Sequence, residues 1–152
     1  MNCYPPLLFA AVRWESVADD FLEARVLVKR RLINRNLNGT IFGGALSAAA
    51  DPVFAVLLWQ ALASRGRSVE GWTARSQVEF VRPGRSHLRL HFRVEPMELE
   101  RIERDLDAEG RSELESVVEA IDREGEVCAR FEISTVMRDP AVRRALAAQA
   151  NQ

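Results

Sequence analysis

The chain has 152 residues, of which 47% are hydrophobic and 28% are charged, and its formal net charge is -1. This length suits one domain with a real hydrophobic core, and the charge gives no electrostatic argument for binding nucleic acid or an anionic membrane. Two cysteines and two histidines are too few for a disulfide framework or a Cys/His zinc site, so we expect no metal.

The N-terminal stretch does not resemble a targeting signal. The segment MNCYPPLLFAAVRW has no basic residues ahead of its short apolar run, whereas a secretory signal peptide has them. We interpret it as part of the mature chain of a cytoplasmic protein. The apolar run from Leu7 to Trp14 predicts one or two helical turns.

A strand and a turn come next. From Phe21 to Leu32, Val26 and Val28 alternate with Arg25, Leu27 and Lys29, which predicts a strand with one wet face or edge. The segment 33–38 is polar and predicts a loop. Asn38, Gly39 and Thr40 then provide turn and N-cap chemistry for a helix.

The predicted helix runs to about Ser64 and is unusually apolar. Asp51 is the single ionisable side chain between Arg35 and Arg65. The segment 41–63 has the length of a membrane span, but glycines, Asp51, Pro52 and a glutamine interrupt it. We therefore favour a helix buried all round inside a folded domain, in which a lone carboxylate is costly and needs a reason.

Pro52 predicts a kink or a break near Asp51. Proline removes one backbone donor from the helix and disfavours helical geometry at the residue before it. A kink, or a break into two helices, is therefore expected near Asp51.

The second half of the chain alternates strands with one charged helix. In the segment from His87 to Val94, apolar residues alternate with basic ones, so His87 and His91 are expected on the solvent face. The turn Arg123–Gly125 predicts a hairpin. The predicted elements are a strand at Trp72–Arg82, a strand at His87–Val94, a helix at Pro96–Ala108, strands at Glu113–Asp122 and Glu126–Arg138, and a tail helix from Asp139.

This order of elements predicts an α+β fold in which a curved antiparallel sheet wraps around a long central helix. Within it, the segment NLNGTIFGG at 36–44, followed by Asp51 and by VEFVRPG at 78–84, resembles the PaaI-like acyl-CoA thioesterases of the hotdog fold. The resemblance is closest to the uncharacterised hotdog group DUF4442. It covers about residues 21–138 and implies one hotdog domain at 1–152, with a short N-terminal segment and a C-terminal tail helix.

The resemblance also implies site residues. The backbone amide of Gly43 would bind the thioester carbonyl, and Asp51 would act as general base or nucleophile. Asn36 matches the loop asparagine that helps to position water or substrate, and Thr73 falls where that family often has a hydroxyl residue on the strand after the helix. Phe42 stands where the thioesterase pattern has a histidine, which removes one polar group from the site.

The substrate implied is an acyl-CoA or another acyl-carrier thioester, with coenzyme A entering as part of the substrate and no separate cofactor. Phe42 and Gly44 are expected to contact it. Arg82, Arg85 and Arg35, near strand and loop ends, are expected to bind the phosphates of coenzyme A.

Physical reasoning leads to a dimer. Gly43 and Asp51 are eight residues apart, which is about 12 Å along one helix. One substrate carbonyl cannot easily meet both groups of the same chain, so a homodimer with two shared sites, or a dimer of dimers, is expected. The first turn of a helix favours a developing oxyanion, and an apolar wall makes a carboxylate a stronger base.

Alternatives stay open at this stage. The glycine pair could simply allow close packing, and Asp51 could cap the half-helix that Pro52 begins. The protein could be a non-catalytic acyl-CoA or fatty-acyl binding module, which the phenylalanine at 42 favours, or a purely structural interaction domain. Related dehydratases need a catalytic histidine, and neither histidine lies where one would serve.

Overall fold

The computed structural model of the protein describes residues 2–150; Met1 and the last two residues of the predicted domain 1–152 lie outside the described residues. The elements are α1 Pro5–Phe9, β1 Val12–Val17, β2 Glu23–Val28, a 3₁₀ turn Leu32–Asn34, α2 Gly43–Ala50, α3 Val53–Ser64, β3 Glu70–Phe80, β4 Leu88–Arg93, α4 Pro96–Glu109, β5 Arg111–Ile121, β6 Val127–Arg138 and α5 Pro140–Ala150.

The six strands form one sheet in the order β1-β2-β4-β5-β6-β3, and every neighbouring pair is antiparallel. Strand β4 shows how the pattern of the sequence creates the core. Leu88, Leu90 and Phe92 are buried, whereas the residues between them are exposed, as the alternation predicts. One side of the sheet therefore packs on the central helices, and β3 lies at one edge.

The central helix is broken where proline predicts it. Helix α2 ends at Ala50 and α3 begins at Val53, because Pro52 cannot donate a backbone hydrogen bond. The expectation of a helix buried all round is wrong, since the Asp51 side chain is exposed and Trp59 is 46% exposed. The two helices bury one broad face on the sheet and leave a narrower face open.

The helical segment Gly43–Ser64 is long and apolar enough to cross a membrane, but 61% of its most apolar 18-residue window is buried in the protein. Burial of this kind is typical of the core helix of a folded domain. The preference for a core helix over a membrane span is thus supported by the packing.

The sequence prediction is wrong at two boundaries in the first third of the chain. Strand β1 occupies Val12–Val17, where helical turns were expected, because the chain reverses at Ala11 in the left-handed region, at φ 56°. Helix α2 begins at Gly43, three residues after the predicted cap at Thr40. Thr40 instead bonds with Asn36 inside the preceding loop.

Candidate functional site

Helix α2 begins with backbone amides that have no acceptor. Phe42 precedes the first turn in an extended conformation, and no side chain caps it. The amide of Ala45 bonds to the Phe42 carbonyl at 2.9 Å, but within residues 2–150 the amides of Gly43 and Gly44 have no acceptor. Free N–H donors at the positive end of a helix are groups of the kind that stabilise an oxyanion.

Both glycines lie against aromatic rings that leave little room for a side chain. A Cβ atom on Gly43 would lie 2.7 Å from the ring of Phe80, and one on Gly44 would overlap the ring of Phe42. Phe42 and Phe80 are 57% and 54% exposed. The packing interpretation therefore holds for this pair, and the same lack of side chains leaves the amides open to a ligand.

A cavity of about 400 Å³ opens beside Gly43. It brings together three of the predicted site residues, which are Asn36, Gly43 and Arg82. The other residues that line it are Asn38, Thr40, Ile41, Leu46, Phe80, Val81, Pro83 and Gly84. Its wall is mainly apolar, as is usual in small-molecule sites.

The side chains of Asn36 and Arg82 in this cavity are engaged within the chain. The Oδ1 of Asn36 accepts hydrogen bonds from the amides of Asn38 at 3.0 Å and Thr40 at 3.1 Å, and its Nδ2 donates to the Thr40 hydroxyl at 2.8 Å. Arg82 forms an ion pair of 2.8 Å with Glu126. Asn36 thus fixes the shape of the loop that leads into α2.

Asp51 lies at the junction of α2 and α3 in a helical conformation, at φ -53° and ψ -54°. The alternative in which it caps α3 is wrong, because α3 starts from Pro52 without any side-chain cap. The expectation that the single chain buries this carboxylate is also wrong, since the side chain is exposed. In the part of the chain that the structure describes, the carboxylate has neither a hydrogen bond nor an ion pair, so it is available.

Thr73 contacts Asp51, at the end of α2, and not Gly43, at its start. Its hydroxyl donates a hydrogen bond of 2.6 Å to the backbone carbonyl of Asp51, and the threonine lies on the edge strand β3 opposite Thr135 of β6. Asp51 is not among the residues that line the cavity beside Gly43. The predicted residues thus form two groups in one chain, one at the start of α2 and one at its end.

Arg85 belongs to neither group. It lines a different cavity together with Arg30 and His87. Sequence reasoning gave no role to Arg30, although it lies in a basic run, and none to Phe80, although the motif VEFVRPG contains it. Within residues 2–150, no group of three or more Asp, Glu, His or Cys side chains is placed to hold a metal ion.

Several solved structures share this architecture. One is a Pseudomonas aeruginosa protein of unknown function, described as a probable thioesterase; it is 20% identical, with a TM-score of 0.75 over 85% of this chain and 83% of that chain. A protein of unknown function from Chlorobaculum tepidum is 14% identical, with a TM-score of 0.77 over 91% and 88%. A thioesterase from Haemophilus influenzae is 9% identical, with a TM-score of 0.61 over 88% and 82%.

At these identities the structural similarity establishes the fold, which is the hotdog fold that the sequence predicted. No protein with curated functional information matches the sequence. The family model covers all of the elements from α1 to the end of β6 except the last residue of that strand. The chain belongs to the family described as "Domain of unknown function (DUF4442)", whose model matches residues 1–137.

Proposed function

We propose that the protein hydrolyses acyl thioesters, with acyl-CoA as the preferred class, as a homodimer of one hotdog domain per chain. The observations that carry the proposal are the uncapped amide of Gly43 at the start of α2 and the exposed, unpartnered carboxylate of Asp51 just after its end. The thioesterase names of the structures from P. aeruginosa and H. influenzae support it at the level of the fold. In cells we expect this activity in the cytoplasm.

The dimer is proposed from the edge strand β3. This strand has 11 residues and pairs with β6 on one side; its other side has no partner strand within residues 2–150. A long free edge normally needs protection from uncontrolled pairing. Here it also exposes the large apolar side chains of Trp72 and Phe80, and Val81 just after the strand is exposed too. Antiparallel pairing with the same strand of a second chain would cover the edge.

Two contacts made by β3 suggest a register for this pairing. Thr73 hydrogen-bonds to Asp51, and the ring of Phe80 lies beside Gly43. Ala74 is the extra residue of a bulge, so the residues of β3 that share one face with these two are Thr73, Ser76, Val78 and Phe80. If the bulge residue Ala74 is not counted, Thr73 and Phe80 each lie three positions from Gln77. Thr73 therefore lies opposite the second chain's copy of Phe80 when the two-fold axis passes through Gln77. That register would bring each Asp51 towards the Gly43 of the other chain.

The chemistry then follows from the two groups. The thioester carbonyl oxygen would accept a hydrogen bond from the Gly43 amide, which stabilises the oxyanion as it forms. Asp51 would take a proton from a water molecule whose oxygen attacks the carbonyl carbon. Collapse of the tetrahedral intermediate would break the C–S bond and release the thiol, which leaves with that proton. Direct attack by the carboxylate, through an anhydride that water opens, is the second route open to the same residue.

The remaining predicted residues have supporting roles in this proposal. Thr73 holds the backbone of Asp51, and Asn36 holds the loop before α2. The rings of Phe42 and Phe80 would form apolar walls beside the glycines, and the exposed Gly44 amide would be a second donor. Coenzyme A would enter only as part of the substrate.

A panel of acyl-CoA substrates of increasing chain length, with detection of the released thiol, tests the proposal. Asp51→Asn is expected to lower kcat by about 100-fold or more while the fold persists. Asp19→Asn changes another exposed carboxylate, in the β1–β2 loop, and is expected to leave turnover unchanged. Turnover that is equal in both variants would contradict the role of Asp51. Binding of acyl-CoA without any thiol release would instead favour a non-catalytic acyl-CoA binding module.

A further inference from the structure

A second cavity, of about 360 Å³, is lined mainly by basic side chains. Its volume is in the range of small-molecule sites. Within residues 2–150 no acidic residue lines it, and the six residues that do are Arg30, Arg85, Ser86, His87, Arg89 and Arg123. A concave surface that gathers four guanidinium groups attracts anions.

The charges in this cavity are only partly neutralised. Arg89 pairs with Glu15 at 3.4 Å, and Arg123 pairs with Glu124 at 2.6 Å. Across residues 2–150, Arg30 and Arg85 have no acidic side chain within ion-pair distance, so the cavity keeps a positive surplus. Most ion pairs of the protein have exposed partners and contribute little, so an anion with several charges could displace them.

His87 adds a directed donor to the same cavity. Its Nδ1 accepts a hydrogen bond of 2.9 Å from the backbone amide of Arg30. A neutral imidazole that accepts at one nitrogen carries its proton on the other. The Nε2–H of His87 is therefore the group with which the ring can donate to a ligand.

The basic cavity is next to the cavity beside Gly43. Pro83 and Gly84 line the Gly43 cavity, and the next two residues of the chain line the basic one. The guanidinium of Arg30 donates to the carbonyl of Gly39 at 3.0 Å through its Nε, and Gly39 lies between Asn38 and Thr40 of the Gly43 cavity. The same two loops thus separate the proposed reaction site from the basic cavity.

We propose that the basic cavity binds the phosphate groups of a coenzyme A thioester while the thioester itself reaches Gly43. This inference rests on the proposed function, because it assigns the nucleotide end of that substrate. Coenzyme A carries a diphosphate and a 3′-phosphate, which match several arginines, and bidentate guanidinium–phosphate contacts are strong. A carrier protein presents its thioester on an arm with a single phosphodiester, which would leave most of these cations without a partner. Arg82, which pairs with Glu126 and lines the other cavity, is not part of the site.

Calorimetric titration of the full chain with coenzyme A and with pantetheine, which lacks all phosphates, tests the inference without requiring turnover. The variants are Arg85→Ala and Arg123→Ala, and the control is Arg104→Ala, which removes an exposed arginine of α4 outside the cavity. We expect each cavity variant to weaken coenzyme A binding by about tenfold or more. We expect the control to bind like the wild type, and pantetheine binding to be equal in all four proteins.

The outcomes separate this inference from the proposed function. Equal coenzyme A affinity in Arg85→Ala, Arg123→Ala and Arg104→Ala, or no binding of coenzyme A by the wild type, would overturn the phosphate site. A loss that appears only with a 4′-phosphopantetheine carrier protein would overturn it in favour of carrier recognition. Coenzyme A binding that depends on Arg85, together with no thiol release from acyl-CoA, would support the site and contradict hydrolysis.

Discussion

The hydroxyl of Thr73 donates a hydrogen bond of 2.6 Å to the backbone carbonyl of Asp51, and so it ties the edge strand β3 to the break between α2 and α3. Seven residues further along the same strand, the ring of Phe80 lies against Gly43. The edge strand β3 therefore contacts both ends of helix α2. A second chain that pairs with β3 takes a fixed position relative to both ends at once.

The proposed register predicts a cross-link at Gln77. When the two-fold axis passes through this residue, the two copies face each other with Cα atoms about 4.5–5.5 Å apart, which suits a disulfide bond. In a Cys3→Ser background, Gln77→Cys is expected to form a covalent dimer under mild oxidation, visible on a non-reducing gel. The background removes the exposed native cysteine, whereas Cys128 is buried.

Two positions of β3 serve as controls for that cross-link. Glu70→Cys and Glu79→Cys lie off the axis, and a single cysteine at either one would face a different residue of the second chain. These variants should stay monomeric on the gel. A cross-link that forms equally at all three positions, or none at 77, would contradict the register.

The amide of Gly43 can be removed without breaking the helix. Gly43 is the first residue of α2, where proline is favoured, and Phe42 before it has a ψ of 131°, which suits a residue that precedes proline. Gly43→Pro deletes the proposed oxyanion donor. We expect kcat for acyl-CoA hydrolysis to fall by about 100- to 1,000-fold.

Gly43→Ala is the matched control for this deletion. It adds the same Cβ against the ring of Phe80 but keeps the N–H group. The alanine variant is expected to retain most of the turnover that the proline variant loses, after any change in KM from the displaced ring. If the two variants lose kcat to the same extent, crowding and not the amide explains the loss.

Asp139 is predicted to stabilise the C-terminal end of the fold. Its Oδ1 accepts from the amides of Ala141 and Val142 at the start of α5, and its Oδ2 pairs with Arg67 at 3.0 Å. Because the carboxylate is largely buried, Asp139→Ala should lower the free energy of unfolding by about 2 kcal/mol. Asp107→Ala, which removes the other acidic partner of Arg67 from a side chain that is 72% exposed, should cost less than about 1 kcal/mol.

The contribution of Asp139 to the free energy of unfolding is expected to depend on pH. Burial raises the pKa of Asp139, but the hydrogen bonds from Val142, Arg67 and Ala141 outweigh it, so its pKa lies below the ordinary value. A carboxyl with a lowered folded-state pKa stabilises the protein above the unfolded-state pKa, about 4, and loses that contribution as the pH falls through the folded value. Urea unfolding at fixed protein concentration should show the gap between wild type and Asp139→Ala shrinking below about pH 4. A gap that does not change with pH would contradict the assignment.

Local sequence features were enough to predict most of the sheet and the break in the central helix. The alternation in β4 and the proline at 52 have local causes, and the structure follows them. Strand β1 was missed because its identity depends on pairing with β2, in which Trp14 lies opposite Val26. A six-residue edge strand has too short a pattern to be told from helical turns without that partner.

The candidate site was predicted less completely, because side-chain roles depend on neighbours distant in sequence. Asp51 was expected to be buried, since no residue nearby in sequence could show that one face of the helix stays open. Phe80 covers Gly43 from a strand 37 residues away. Arg30 and Arg85 meet in one cavity only because of the loop geometry, which no spacing in the sequence encodes.

The central claim is that each site takes Asp51 from one chain and Gly43 from the other. Co-expression of Asp51→Asn chains with Gly43→Pro chains, each inactive alone, tests it directly. A mixed dimer contains one site in which both residues are intact, but only if the site is shared between chains. Random pairing of equal amounts makes half of the dimers mixed, so the account predicts recovery of about a quarter of wild-type thiol release. Activity that stays at the level of the separate variants, although mixed dimers are shown by mass spectrometry to form, would contradict it.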